Sequence, residues 1–391
     1  MFLEWQPEQA KEYDAMLAAV RERFDRPRPT EAEAEAGAGA GAGVGAGVRQ
    51  LWRHCGELGL LGLCVPAEYG GGGRSALDTA HLVEAFGRGC ADTGLVFATS
   101  AHQFACAVPI SAYAEQAVRQ RLLPGLCAGT LIAANAMTED GAGSDISAMS
   151  ARAVRDKDTY VLNGVKSWAS NAPDADVLVT YAVTDPAAGF LGVSAFVVER
   201  DTPGLSVDGP FEKIGLDTCA AGSVRFEDCR VPADHLLGEE GEGSAVFQHS
   251  MAWERACLFA GYVGLMDRLV ERCVAHARAR RQFGRRIAEF QAVSHRIADM
   301  KLRLEAGRML LYRACFRLDR DEARPMDSAL SKLAISEATV RAAVDAIQIF
   351  GSRGCLVSEG LEEILRDAIP AKLFSGTSEI QHELIAKGIG L

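Results

Sequence analysis

Near the end of the chain, residues 372–381 read KLFSGTSEIQ: an aromatic residue, a glycine turn and three hydroxyls, followed by an amphipathic tail. The composition suits a reactive turn, yet no strong base stands at its head. Phe374 and Ser375 occupy that place, and a serine hydroxyl is too weak a base to remove a carbon-bound proton. A carboxylate is found elsewhere. In MAWERACLFAGYVGLM, residues 251–266, helical spacing puts Met251, Glu254, Leu258, Gly261 and Leu265 on one face. Glu254 therefore interrupts an apolar stripe. Burial disfavours the charged form of a carboxyl and raises its pKa, which is what a general base or acid near neutral pH requires. The alternative is a structural glutamate paired with an arginine or bonded to backbone.

Two further segments combine hydroxyls with flat or glycine-rich surface. In AMTEDGAGSDISAM (136–149), Gly141 and Gly143 allow close approach of the backbone to a ring or a phosphate, and Thr138 and Ser144 supply hydroxyls. Taken alone the segment reads as a β-turn. In SWASN (167–171), Trp168 offers a broad face beside Ser170; taken alone it reads as a core tryptophan. Together they point to a cofactor cleft. Arg278, Arg280, Arg281, Arg285 and Arg286 form a basic cluster that could clamp a phosphate or could simply be a solvated helix end. The formal net charge of −11 makes the chain a poor nucleic-acid binder outside such a cluster. The eleven cysteines include no C-x-x-C pair and the eight histidines no H-x-x-x-H pair, so reduced thiols in a cytoplasm and no zinc site are expected.

These residues must be positioned by three kinds of texture. Residues 48–131 are rich in Ala, Leu and Arg, with breaks at Pro66, Gly70–Gly73, Pro109 and Pro124, and read as helices. Ahead of them, EAEAEAGAGAGAGVGAG (31–47) reads as a flexible low-complexity connector. Between residues 132 and 231 the chain reads as strands. VLVTYAVT and GVSAFVVE are β-branched runs, and Asn163-Gly164 lies between two alternating runs, a hairpin signal. Helical texture returns at Gly243. In residues 290–316, apolar side chains recur at 290, 293, 297, 300, 304, 311 and 315, a 3.6-residue period over about seven turns. The order predicts an α+β fold with segregated parts: a helical domain over 1–132, a β domain over 133–242 and a helical bundle over 243–391. No G-x-G-x-x-G opens a helix after a strand, so a dinucleotide fold of the Rossmann type is not expected. The N-terminus lacks a basic region followed by an apolar run, and no apolar run approaches the ~20 residues of a membrane helix.

The chain resembles the acyl-CoA dehydrogenase flavoprotein family from about residue 50 to its end. The resemblance rests on MTEDGAGSD (137–145), NGVKSWASN (163–171), ERACLFAGYVG (254–264), RRQFGRRIAEFQ (280–291), DAIQIFGSRG (345–354) and FSGTSEIQ (374–381). It implies an N-terminal helical domain, a central β-barrel-like domain and a C-terminal four-helix bundle, with FAD held between the last two, in a homotetramer built as a dimer of dimers. It also implies that Met137, Thr138, Gly143 and Ser144 line the flavin ring, flanked by Trp168 and Ser170. Arg280, Gln282 and Phe283 would reach the FAD of a neighbouring subunit, with Gln348, Gly351 and Ser352 on its adenosine side and Thr377 and Glu379 near the cofactor. Ser144, Arg255 and Phe374 fall beside the substrate.

In most of the family the residue before the C-terminal glycine is the glutamate that removes the α-proton. Here it is Ser375, whose backbone N–H is implied to stabilise the enolate oxygen. A minority places the base on the bundle helix, where this chain has Glu254. Longer stretches, among them IAANAMTEDGAGSDISAM and FSGTSEIQHELIAKGIGL, look most like the dehydrogenases of pyrrole antibiotic pathways that act on L-proline held as a thioester on a peptidyl carrier protein. A short branched-chain acyl-CoA dehydrogenase of the isovaleryl type shares fold, cofactor and base, and a flavin-binding scaffold without activity is the third reading. Electron-transferring flavoprotein and oxygen are both open as electron acceptors. Asp140, Asn135 and Gln282 depart from the family, which often has Pro, an aromatic residue and Thr at those positions.

Overall fold

A computed structural model describes residues 5–25 and 44–391 of the chain. Most of the low-complexity connector, residues 31–43, lies outside the described residues; its last residues, from Val44, begin a helix. The N-terminal part comprises α1 (Pro7–Phe24), α2 (Val44–Glu57), α3 (Ala76–Gly89), α4 (Thr93–Tyr113) and α5 (Gln116–Ala128). Local signals set the ends of α3 and α4. The Ser75 hydroxyl caps α3 by accepting from the Asp78 N–H, and the Asp92 carboxylate caps α4 by accepting from the Leu95 N–H. Against the expectation from runs of apolar residues, α4 is long and apolar enough to cross a membrane by length and composition. However, 83% of its most apolar window is buried inside the fold, as befits a helix packed on both sides.

The middle of the chain forms an eight-stranded sheet: β1 (Ala133–Ala136), β2 (Arg152–Asp156), β3 (Thr159–Ser170), β4 (Val177–Val183), β5 (Val193–Glu199), β6 (Leu205–Asp208), β7 (Ala221–Pro232) and β8 (Leu236–Leu237). The strand order is β6-β7-β3-β2-β4-β5-β8, with β1 beside β4 in parallel. The edge strands β6 and β8 do not pair with each other among the described residues, so hydrogen bonding leaves the sheet open. Period-two alternation gives it two apolar faces. Tyr160, Leu162, Leu178, Phe196, Val224 and Phe226 enclose a core of the sheet's own. Val177, Val179, Tyr181 and Val197 pack instead against Ile110, Leu122 and Leu126 of the N-terminal helices and Val246 of the next.

The hairpin turn between β2 and β3 falls at Lys157–Asp158, with Lys157 at φ 59°, and not at Asn163-Gly164. Asn163-Gly164 lies inside β3, at a register shift against β7. There Asn163 bonds across the strands to Asp228 in both directions (3.1 and 2.8 Å), and a Cβ at Gly164 would lie 2.7 Å from the Ala151 backbone. The Asn-Gly pair serves a bulge, which has the same need for unusual backbone as a turn.

The C-terminal helices are α6 (Gly243–Trp253), α7 (Phe259–Ala279), α8 (Gln291–Leu318), α9 (Pro325–Phe350), α10 (Leu361–Ala368) and α11 (Ser378–Gly388). The period read over 290–316 is that of α8, which buries Met300, Leu304, Leu311 and Cys315. α7 packs closely on α3 because glycines meet there. A Cβ on Gly87 would sit 2.0 Å from the Gly261 carbonyl oxygen, and one on Gly264 would sit 2.1 Å from that of Glu84. This crossing fixes the start of α7 against the N-terminal helices.

Candidate active site

Between α6 and α7 the helix widens into a single π turn, Glu254–Leu258; a second π turn, Gln103–Ala107, interrupts α4. Such turns insert a residue and re-aim side chains. The first carries Glu254, which is 8% exposed. Its carboxylate Oε1 accepts a hydrogen bond from the Ser375 hydroxyl, 121 residues away. Burial pushes the Glu254 carboxyl above the usual carboxylate range, while the Ser375 hydroxyl and the Arg255 charge pull it back. Burial lowers the Arg255 guanidinium, and the Glu254 charge opposes that shift. Both shifts have one cause, desolvation, and each partner limits the other's.

The turn that presents Ser375 is held from both sides. Ser375 stands at φ 55° and Gly376 at φ 89°. Arg255 Nε donates to the Ser375 carbonyl (2.9 Å), and Gln381 Nε2 donates to the Gly376 carbonyl (2.8 Å) and more distantly to those of Ser375 and Thr377. While its carbonyl is gripped in this way, the backbone N–H of Ser375 meets no backbone acceptor among the described residues. Gln381 was not among the expected site residues; only its place in the FSGTSEIQ motif hinted at it.

Glu254, Arg255, Phe374 and Ser375 open into a cleft of about 450 Å³ that Met137, Thr138, Gly143, Ser144, Trp168 and Ser170 also line. Ten of the expected site residues thus meet in one place. Trp168 is not a core tryptophan. It sits at φ 59° beside a register shift of β3, is 62% exposed, and leans on Phe211 with ring centroids 5.0 Å apart. A bulky residue in the left-handed region is strained and must be held by its surroundings. The hold comes from a buried ion pair inside the two motifs. Lys166, fully buried, donates to Glu139 (2.9 Å) and to the Met137 carbonyl (3.1 Å), and the Ser167 N–H donates to the Thr138 carbonyl (2.8 Å). Glu139 also accepts from the Ser150 hydroxyl (2.5 Å) and from the Ser150 and Ala151 N–H groups (2.7 and 2.9 Å). Burial opposes its charge, but these bonds and Lys166 win and bring its pKa down to about 2. Burial lowers Lys166 to about 8.

A Cβ at Gly141 or at Gly143 would meet nothing within 4 Å. Open backbone, the exposed indole and the hydroxyls of Thr138, Ser144 and Ser170 at the edge fit a flat ring with polar rims, as a flavin has. No group of three or more His, Cys, Asp or Glu residues able to hold a metal ion occurs among the described residues.

The other expected residues lie elsewhere. Arg280 ends α7, and Gln282 and Phe283 form an exposed hairpin of β9 (Arg281–Gln282) and β10 (Arg285–Arg286), with Phe283 93% exposed. At ~1.5 Å per residue, the 21 residues of α7 set Arg280 about 30 Å from the π turn, too far for a side chain to return to this cleft. Gln348, Gly351 and Ser352 are exposed at the same end of the bundle, where Phe350 stacks on His276 (4.1 Å) and the His276 carbonyl accepts from the Arg280 N–H. Thr377 caps α11, accepting from the Ile380 N–H, and Glu379 is exposed; neither lines the cleft.

The comparison with protein families identifies this architecture as that of the acyl-CoA dehydrogenases. The chain belongs to that family: its N-terminal, middle and C-terminal domain models match residues 10–130, 134–229 and 241–390. Among its relatives, an L-prolyl-[peptidyl-carrier protein] dehydrogenase of Pseudomonas fluorescens is 55% identical over 87% of this chain and 90% of that protein. A mitochondrial isovaleryl-CoA dehydrogenase of Pongo abelii is 35% identical over 87% of this chain and 80% of that protein. The solved structure of PigA with FAD and proline superposes with a TM-score of 0.92 at 40% identity and covers the whole of both chains.

Proposed function

We propose that this chain is an FAD-dependent dehydrogenase that desaturates L-proline held as a thioester on a peptidyl carrier protein, on the way to a pyrrolyl thioester for antibiotic synthesis. The observation that carries the acid–base part is Glu254, buried, raised in pKa and hydrogen-bonded by Ser375 in the one cleft where the hydroxyl and indole residues converge. The prolyl substrate is supported by 55% identity to a prolyl-carrier enzyme against 35% to an isovaleryl-CoA enzyme.

Glu254 takes the α-proton. Arg255 and Gln381 hold the Ser375–Thr377 turn so that the Ser375 N–H faces the thioester oxygen as charge develops there. Met137, Thr138, Gly143, Ser144, Trp168 and Ser170 hold the ring of FAD, which when bound supplies the acceptor for the β-hydride. Phe374, packed on Phe97 with centroids 4.5 Å apart, closes the acyl chamber against water. The exposed arm of Arg280, Gln282 and Phe283, with Gln348, Gly351 and Ser352 at its foot, is assigned to the FAD of a neighbouring subunit in a homotetramer. Guanidinium groups suit its pyrophosphate. The enzyme is placed in the cytoplasm, with electron-transferring flavoprotein or oxygen as acceptor.

The test is anaerobic flavin bleaching by L-prolyl-S-carrier protein and, separately, by isovaleryl-CoA. Rapid bleaching by the prolyl carrier, abolished in Glu254→Gln with FAD still bound, is expected. Bleaching by the CoA ester alone would move the enzyme to acyl-CoA oxidation, and turnover surviving in Glu254→Gln would remove the base from the scheme.

A further inference from the structure

The acyl chamber is walled by Phe97, Ala101, Ala105, Met251 and Phe374, and Asn135, at the third position of β1, is among the polar side chains that line the same cleft. Its amide has a fixed orientation. Nδ2 lies 3.2 Å from the Ala105 carbonyl oxygen, which can only accept, so the nitrogen must face it and Oδ1 must face away. The Ala105 carbonyl lies in the π turn of α4, and by donating to it the Asn135 amide is held in this orientation. Oδ1 meets no donor among the described residues and is not among the buried unpartnered atoms, so it is open to the cleft.

We propose that Asn135 Oδ1 reads the ring nitrogen of the substrate, and that this contact, more than chamber size, separates a prolyl thioester from a branched or cyclic hydrocarbon acyl group. The inference rests on the dehydrogenase reading above and adds the residue that selects the acyl group. Its logic is the connectivity of proline: the amine nitrogen is bonded to the carbon that loses the α-proton. An acceptor for that N–H must therefore stand beside the base. Asn135 and Glu254 line one cleft, and Ala105, which anchors Asn135, is followed by Cys106, whose thiol is pushed up by burial and by the Glu254 charge. The secondary amine offers an N–H whether neutral or protonated, so Oδ1 serves both forms. An isovaleryl chain has no donor and would cover Oδ1 with carbon. A site built to bond a substrate N–H rejects an analogue lacking it far more strongly than a pocket rejects a missing methylene.

The experiment compares two thioesters on the same carrier protein: L-prolyl and cyclopentanecarbonyl, which has CH₂ where proline has NH. The ratio of their kcat/KM values for anaerobic flavin reduction is measured in the wild-type holoenzyme, in Asn135→Leu and in Asn135→Ser. The ratio is expected to fall at least about tenfold in both variants, the loss of one hydrogen bond to a substrate donor, chiefly through the prolyl value. If one variant does not retain flavin, the other carries the test. An unchanged ratio in a flavin-loaded variant, or an equal loss for both thioesters, overturns the assignment. A wild-type enzyme that prolyl-S-carrier protein does not bleach would instead refute the underlying substrate reading, so the two failures are distinct.

Discussion

Ser375→Ala isolates the contact between the serine hydroxyl and the base. Alanine keeps the Cβ, so the φ of 55° at this position is no harder to adopt than for serine; the backbone N–H stays, and so do the bonds that the carbonyl accepts from Arg255 and Gln381. Only the O–H that donates to Glu254 Oε1 is lost. That bond lowers the Glu254 pKa against a burial effect that raises it, so its removal raises the pKa further. A hydrogen bond to a charged group contributes about 1.5–3 kcal/mol. At ~1.36 kcal/mol for each pH unit, the pKa rises by roughly one to two. The base works ionised, so the acid limb of the rate of anaerobic flavin bleaching, followed by stopped flow against pH, moves up by that amount. Below the limb the rate falls about tenfold for every pH unit that the limb moves; well above it the rate is little changed. A limb that stays in place or moves down would refute the reasoning, and an equal loss at every pH would assign the hydroxyl to the transition state and not to the ionisation of Glu254.

Asp367, on the buried face of α10, accepts from the Leu216 N–H (2.5 Å), and burial raises its pKa to about 7. The folded state then binds more protons than the unfolded one between about pH 4 and 7, so stability falls as pH rises through that window. Urea titrations are expected to show this slope, worth up to about 4 kcal/mol across the window, and Asp367→Asn, which keeps the acceptor, should flatten it; an unchanged slope would remove Asp367 as its source. Lys166→Met leaves Glu139 charged and buried, and should cost about 3–5 kcal/mol of stability and loosen the 137–139 wall. Chemical denaturation and FAD retention measure the two effects, and a variant as stable as wild type would argue that the pair does not hold Trp168 in place.

Periodicity alone carried much of the architecture. The apolar repeat of residues 290–316 depends on 3.6-residue geometry and became α8, and the β-branched runs became β4 and β5. Local chemistry was legible too: Glu254 inside an apolar stripe must be paired, perturbed or functional, whatever surrounds it. Where one local signal serves two structures, sequence was ambiguous. Asn163-Gly164 needs unusual backbone, which both a turn and a bulge provide, and strand pairing with β7 chose the bulge. Trp168 could fill a core or wall a cleft, and the register shift beside it turned the indole outward.

The sequence by itself determined the reaction's raw materials: a carboxylate on the helix, a serine in place of the usual base, and hydroxyls beside glycines and an indole. Their relation was decided by tertiary structure. The Ser375 hydroxyl reaches Glu254 across 121 residues, Asn135 is aimed by a carbonyl in the π turn of α4, and Arg280 is carried the length of α7 away from the cleft that holds Glu254. A sequence specifies which groups can bond and at what local period. Which of them come within hydrogen-bonding reach is set by close helix crossings, π turns and register shifts, and these depend on contacts between residues far apart in the chain.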